Sequence, residues 1–155
     1  MVSEQKDLVK ILIENRTSEI EKVCKITEDF CKQHEIPGKI LYSLELVIDE
    51  LLTNTISYGY EDKKVHEISV QLSKEGKYIS LEFRDDAQPF NPLEAPEPDV
   101  SLSLEDRLIG GLGIFLVKRL TNEVHYSYEN GMNILVLKKD INEVKDDINK
   151  GLEEF

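Results

Sequence analysis

The sequence predicts an α+β fold: a two-layer α/β sandwich whose mixed, mostly antiparallel sheet carries helices on one face. Two pairs of alternating segments are each closed by a short glycine turn. Two segments with helical spacing come before the first pair and a third stands between the pairs. The chain has 155 residues, 40% of them hydrophobic, which suits one domain with one core.

The elements follow in order. The run Leu8-Val9-Lys10-Ile11-Leu12-Ile13 is short and β-rich, so it predicts a strand. Ser18, three residues before Glu21, predicts a capping-box helix start. Ile20, Val23, Cys24, Thr27, Phe30, Cys31 and His34 follow at helical spacing. Pro37-Gly38 breaks that helix, and a second is expected over residues 39–57. Ile68, Val70 and Leu72 alternate, Lys74-Glu75-Gly76 turns the chain, and Ile79, Leu81 and Phe83 alternate again, which is a hairpin. Periodicity then disappears over residues 86–109, where Pro89, Pro92, Pro96 and Pro98 fall within ten residues. A loop this long in a small domain is usually functional, often a lid. A buried helix over residues 110–120 comes next. Val124, Tyr126 and Tyr128 lead into Asn130-Gly131, a two-residue hairpin turn, and residues 132–139 return as the last strand.

Composition excludes several classes. No eighteen-residue apolar run is present, so no membrane-spanning helix is expected. The N-terminus lacks the basic and apolar regions of a secretory signal. The net charge of −12 repels phosphate backbones, so direct nucleic-acid binding is disfavoured. Cys24 and Cys31 form no disulfide framework or metal spacing and suit a reducing cytoplasm; on one helix face they read as small buried hydrophobes.

Three features carry chemistry. Glu50 and Asn54 sit one turn apart at the margin of the stripe Ile40, Leu44, Val47, Ile48, Leu51 and Thr55, while Asp49 points to water. Such a pair can bind a cation through the amide oxygen while the carboxylate takes a proton, or it can be a solvated helix edge. Asp85 continues the inward series Ile79, Leu81, Phe83, so alternation puts its carboxylate on the buried face. It can accept an amino group such as that of adenine, or close an Asx-turn. Gly110-Gly111-Leu112-Gly113 opens a helix, where free N–H groups attract phosphate.

ELVIDELLTNTISYGY (residues 45–60), DDAQPFNP (residues 85–92) and GGLGIFLVKRLTNEVHY (residues 110–126) resemble, in order, the three boxes of the ATPase superfamily of gyrase, histidine kinases and mismatch-repair ATPases. Within it the chain is most similar to the small anti-sigma-factor serine/threonine kinases. The resemblance implies a Bergerat-type ATP-binding domain over residues 1–139, followed by an acidic amphipathic tail over residues 140–155. It implies ATP and Mg²⁺ as cofactors, with Asn54 holding the metal and Glu50 as general base toward a serine hydroxyl. Asp85 would receive the adenine amino group, and residues 93–109 would be the ATP lid, its second half ordering when ATP binds. Ser57, Ala87, Phe90, Gly110, Gly111, Leu112, Gly113 and Asn133 complete the implied nucleotide site.

The chain departs from the family at Ala87 and Pro89, where glycines are usual, and at Asn133, where a threonine is usual. The resemblance further implies a cytoplasmic regulator that phosphorylates an anti-sigma antagonist and thereby controls release of a sigma factor, and it implies a homodimer. The alternative is a nucleotide-gated protein-binding module with little or no kinase activity. Ile141, Val144, Ile148, Leu152 and Phe155 give the tail one apolar stripe that must be covered by its own domain, a second copy or a partner.

Overall fold

The computed structural model describes residues 1–5, 7–94 and 111–142; most of the expected lid and of the tail lie outside the described residues. Six strands form one sheet in the order β1-β2-β3-β4-β6-β5, with every neighbouring pair antiparallel. They are β1 (Val2–Gln5), β2 (Leu8–Glu14), β3 (Glu67–Glu75), β4 (Tyr78–Asp85), β5 (Glu123–Glu129) and β6 (Met132–Asp140). The helices are α1 (Ser18–Gln33), α2 (Gly38–Tyr58) and α3 (Gly111–Leu120).

Alternation puts Ile11 and Ile13 of β2, Ile68, Val70 and Leu72 of β3, Ile79 and Leu81 of β4 and Leu137 of β6 on one sheet face. They form a single core with Val23 and Phe30 of α1, Leu44, Ile48 and Leu52 of α2, and Ile114 and Val117 of α3. This is the expected two-layer α+β sandwich. Asn130 and Gly131 both have positive φ (53° and 77°), which a type I′ turn requires and which lets β5 and β6 close tightly. The other hairpin turns at Gly76, with φ 60°.

The structure corrects the sequence reading in two places. β1 is an additional strand, pairing Val2 with Ile11 and Gln5 with Leu8 at the edge of the sheet. The capping box at Ser18 does not form: Ser18 is already helical, and Thr17 precedes it in an αR conformation without a side-chain cap. The helix and strand ends otherwise differ from the expected ones by a few residues.

Cys31 is buried and Cys24 half-buried, and both are free thiols. Burial first, then Glu45, Asp49 and Glu21, pushes Cys24 up to about 11; burial and Glu45 push Cys31 up to about 12. Both therefore stay protonated at neutral pH and act as packing groups. Among the described residues, no helix is long and apolar enough to cross a membrane.

Candidate functional site

The site is built along α2. The helix buries Ile40, Leu44, Val47, Ile48 and Leu51 against the sheet, which leaves Glu50 and Asn54 half-buried at its margin. Asp49 is exposed, as the stripe requires. Burial, with the like charge of Asp49 added, pushes the Glu50 carboxyl above its ordinary value, which makes it a better proton acceptor near neutral pH. No hydrogen bond from another described residue reaches Glu50 or Asn54, so both side chains keep their bonding capacity for a ligand.

α3 begins against that carboxylate. A Cβ at Gly113 would run into Glu50 Oε2 and lie 2.5 Å from its carboxyl carbon. Glycine at 113 is thus what allows the helix start and the carboxylate to share one space. Gly111 opens the same helix; Gly110 lies outside the described residues.

At its other end α2 meets the segment after β4. Gly59 closes the helix, and Gln88 N–H donates to its carbonyl at 3.0 Å. A Cβ at Gly59 would stand 2.5 Å from the Thr55 carbonyl oxygen and 2.8 Å from the Ala87 methyl. Ala87 is buried here, and its methyl fills the space above Gly59.

Asp85 ends the inward series of β4 and is 7% exposed. Both readings of its sequence context meet in its carboxylate. Oδ1 closes an Asx-turn by accepting Ala87 N–H at 3.1 Å, and it also accepts Asn133 Nδ2 at 2.9 Å. Oδ2 takes no hydrogen bond from the described residues and can accept one more donor. Burial pushes this carboxyl up, and the Asn133 and Ala87 hydrogen bonds oppose the shift.

Asn133 lies directly opposite Asp85 in the β4–β6 register. Its Nδ2 also donates to the carbonyls of Ala87 and Gln88, each at 3.1 Å. Its Oδ1 accepts Tyr126 O–H at 2.5 Å and Phe90 N–H at 3.2 Å. Every polar atom of this amide is therefore committed to protein, its two N–H protons shared among three acceptors, and Asn133 clamps the segment after β4. Phe90 gives its amide to the clamp while its side chain stays 54% exposed. Ser57 is exposed in the last turn of α2. Sequence reasoning missed Gly59, Tyr126 and the ion-pair network of His66. The SYGY run after the helix was the signal for Gly59; the other two depend on tertiary register.

Two glycine replacements separate geometry from stability. The three atoms nearest a Cβ in Gly113→Ala all belong to the flexible Glu50 side chain, so the protein is expected to keep a melting temperature near wild type while the carboxylate is displaced and any transfer activity is lost. Gly59→Ala meets backbone and costs about 1–3 kcal/mol, the range for overpacking a tight site. Urea denaturation of both variants, with transfer assays on Gly113→Ala, checks the contrast.

Comparison with known proteins identifies the family and the fold. Residues 13–139 match the family described as histidine kinase-like ATPase domain. Serine/threonine-protein kinase BtrW of Bordetella bronchiseptica is 27% identical over 100 residues, spanning 64% of this chain and 70% of that protein. Serine-protein kinase RsbW of Listeria monocytogenes is 28% identical over 104 residues, spanning 64% of this chain and 66% of that protein. The chain thus spans about two thirds of the length of these relatives. A solved structure of the RsbU and RsbW domains of a Mycobacterium tuberculosis protein shares the fold with a TM-score of 0.56 at 12% identity, over 84% of this chain and 32% of that one. The histidine kinase domain of a blue-light activated histidine kinase from Erythrobacter litoralis aligns with a TM-score of 0.53 at 12% identity, over 83% of this chain and 62% of that one.

Proposed function

The chain belongs to the histidine kinase-like ATPase domain family, and from that premise we propose that it binds ATP with Mg²⁺ and phosphorylates a serine or threonine of a small anti-sigma antagonist protein. The observation that carries the reading is Asp85: a buried carboxylate anchored through Oδ1 with Oδ2 left to accept a donor. An uncompensated buried carboxylate is costly, and the exocyclic amine of adenine supplies the missing hydrogen bond.

The layout of α2 supports the rest. The Asp85 cluster meets the helix at Gly59 and Glu50 stands nine residues earlier, about 13 Å along the axis at the usual helical rise. An extended nucleoside triphosphate spans such a distance, with its base at Asp85 and its phosphates toward Glu50 and α3. The amide N–H groups at the start of α3 face outward from a helix N-terminus, which favours anionic oxygens.

Asn54, an oxygen donor one turn from Glu50 with no hydrogen-bond partner among the described residues, fits a magnesium ligand and would hold the ion, whose charge would offset that of the phosphates. Glu50 would accept the proton of the attacking serine hydroxyl, its basicity raised by partial burial. In phosphoryl transfer the protein chiefly positions reactants, so one base, one amide ligand and backbone donors suffice.

A second reading, nucleotide-gated capture of a partner without transfer, is favoured by the Ala87 methyl packed over Gly59, which narrows the place where other members keep glycine. Labelled ATP mixed with the protein and candidate antagonists distinguishes them. Label transferred to a serine or threonine supports the kinase; ATP-dependent complex formation without transfer supports the module. Transfer would set a sigma factor free, the expected output of this reading.

A further inference from the structure

We propose that His66 is a positioning residue for the base-binding segment: by bridging Asp62 to Asp86 it ties the connection after α2 to the segment after β4 and so holds Asp85 in place. The proposal rests on the nucleotide reading of Asp85.

His66 Nε2 lies 2.7 Å from Asp62 Oδ1, and Nδ1 lies 3.0 Å and 3.1 Å from the two carboxylate oxygens of Asp86. Both ring nitrogens face pure acceptors, and only the doubly protonated ring supplies a donor to each. Its side chain is 16% exposed. The ring stacks on Tyr60, with centroids 4.3 Å apart and planes at 21°. The backbone is fixed as well: His66 N–H donates to Asn15 Oδ1 at 2.9 Å, and Asn15 N–H donates to the His66 carbonyl at 3.0 Å. The imidazole is thus a fixed post at the start of β3, and Asp86 is tied to it through both carboxylate oxygens.

Asp86 adjoins Asp85 and precedes Ala87, the backbone donor to Asp85 Oδ1. A neutral ring has one donor, so one carboxylate would then face a lone pair. Asp62 keeps a second donor in Lys64 N–H at 3.0 Å, so release falls on Asp86 and with it on the segment that shapes the Asp85 carboxylate.

The charged and titratable groups at the ring are Asp62 and Tyr60 from the connection after α2 and Asp86 from the end of β4; Lys64 acts on Asp62 and Asp85 on Tyr60. Asn15, at the end of β2, is neutral. The Tyr60 hydroxyl is buried beside Asp86, with no partner at hydrogen-bond geometry among the described residues, and burial first, then the charges of Asp85 and Asp86, hold it protonated. The Asp86 and Asp62 hydrogen bonds, in that order, hold His66 above its ordinary value. A raised histidine keeps its proton below its ordinary value and loses it as pH rises through the raised one, so the bridge weakens on the alkaline side. By linkage, if the bridge favours nucleotide binding, bound nucleotide raises His66 further.

The test measures Mg·ADP affinity of the full chain by calorimetry from about pH 6 to about pH 9, across the range in which a raised histidine titrates. Wild type, His66→Gln and Asp62→Asn are compared, with thermal melts to verify folding. Wild-type affinity is expected to fall about tenfold more than that of His66→Gln, the order of effect of one charge-assisted hydrogen bond. Taking the ratio removes the titration of the nucleotide phosphates. His66→Gln should bind at every pH as weakly as wild type does at the alkaline end. Asp62→Asn should retain a pH dependence with its midpoint moved to lower pH. Imidazole nitrogen spectra should show His66 doubly protonated at neutral pH, with a midpoint that rises on adding Mg·ADP. Parallel affinity profiles for wild type and His66→Gln, or a His66 midpoint indifferent to Mg·ADP, overturn the role. Folded wild type that binds no ADP overturns the nucleotide reading and this role together, an outcome distinct from binding with parallel profiles.

Discussion

Glu50→Gln is expected to lower phosphoryl transfer about 10²–10⁴-fold, the usual contribution of a positioned general base, and to leave Mg·ATP affinity close to wild type. The asymmetry follows from where Glu50 stands. It has no hydrogen bond to another described residue to lose, so the amide is expected to take the same place against Gly113. What the amide lacks is the lone-pair basicity that partial burial raises in the carboxylate. Asn54→Ala is expected to lose both binding and transfer, because it removes the proposed metal ligand. Single-turnover transfer from labelled ATP to a serine-bearing antagonist measures the first effect and calorimetry the second. Equal transfer by Glu50→Gln and wild type would move the account to the binding-module reading.

Asp85→Asn should weaken ATP binding about 10- to 100-fold, the equivalent of ~1.5–3 kcal/mol for a hydrogen bond to a charged group. The geometry makes the amide worse than a weak substitute. Oδ1 must keep accepting from Ala87 N–H and Asn133 Nδ2, so the new NH2 group takes the place of Oδ2. A donor then meets the donor of the adenine amine. The same variant should be more stable than wild type at neutral pH. Burial raises the Asp85 carboxyl above its unfolded value, so the unfolded chain ionises first and stability falls as pH rises through that interval. A neutral amide removes this penalty. Higher stability with lower affinity is the pattern of a strained binding site, and urea denaturation with calorimetry on one preparation reads both. A loss of affinity without the gain in stability would show that the carboxylate is better compensated than its surroundings indicate.

Much of this architecture is legible because strands and helices declare themselves by period. Alternation alone carried Asp85 inward, since Ile79, Leu81 and Phe83 fix the parity of β4 and all three are buried. Asn130-Gly131 announced its turn because two consecutive positive φ values exclude most other residues. The stripe on α2 separated Glu50 and Asn54 from Asp49 by angle. What escaped has a common cause in tertiary register. β1 is a short VSEQ segment with one apolar residue, and only the exposed backbone of β2 makes it a strand. Ser18 carries the signature of a cap, yet Thr17 continues the helical backbone and removes the need for one. The Asn133 clamp exists because β6 returns between β4 and β5, and nothing local announces which residue will face Asp85. His66 meets Asp86 across twenty residues for the same reason.

The central claim is that one nucleotide bridges Asp85 at one end of α2 and Glu50 with Asn54 farther back along it. Amide spectra of the isotopically labelled chain, titrated with Mg·ATP, test it most directly. The account predicts that Ala87, Gly59, Asn54 and Gly113 shift together on one saturating isotherm. Shifts absent from all four, or confined to the groove of Glu21, Cys24, Glu45 and Asp49 between α1 and α2, would contradict it.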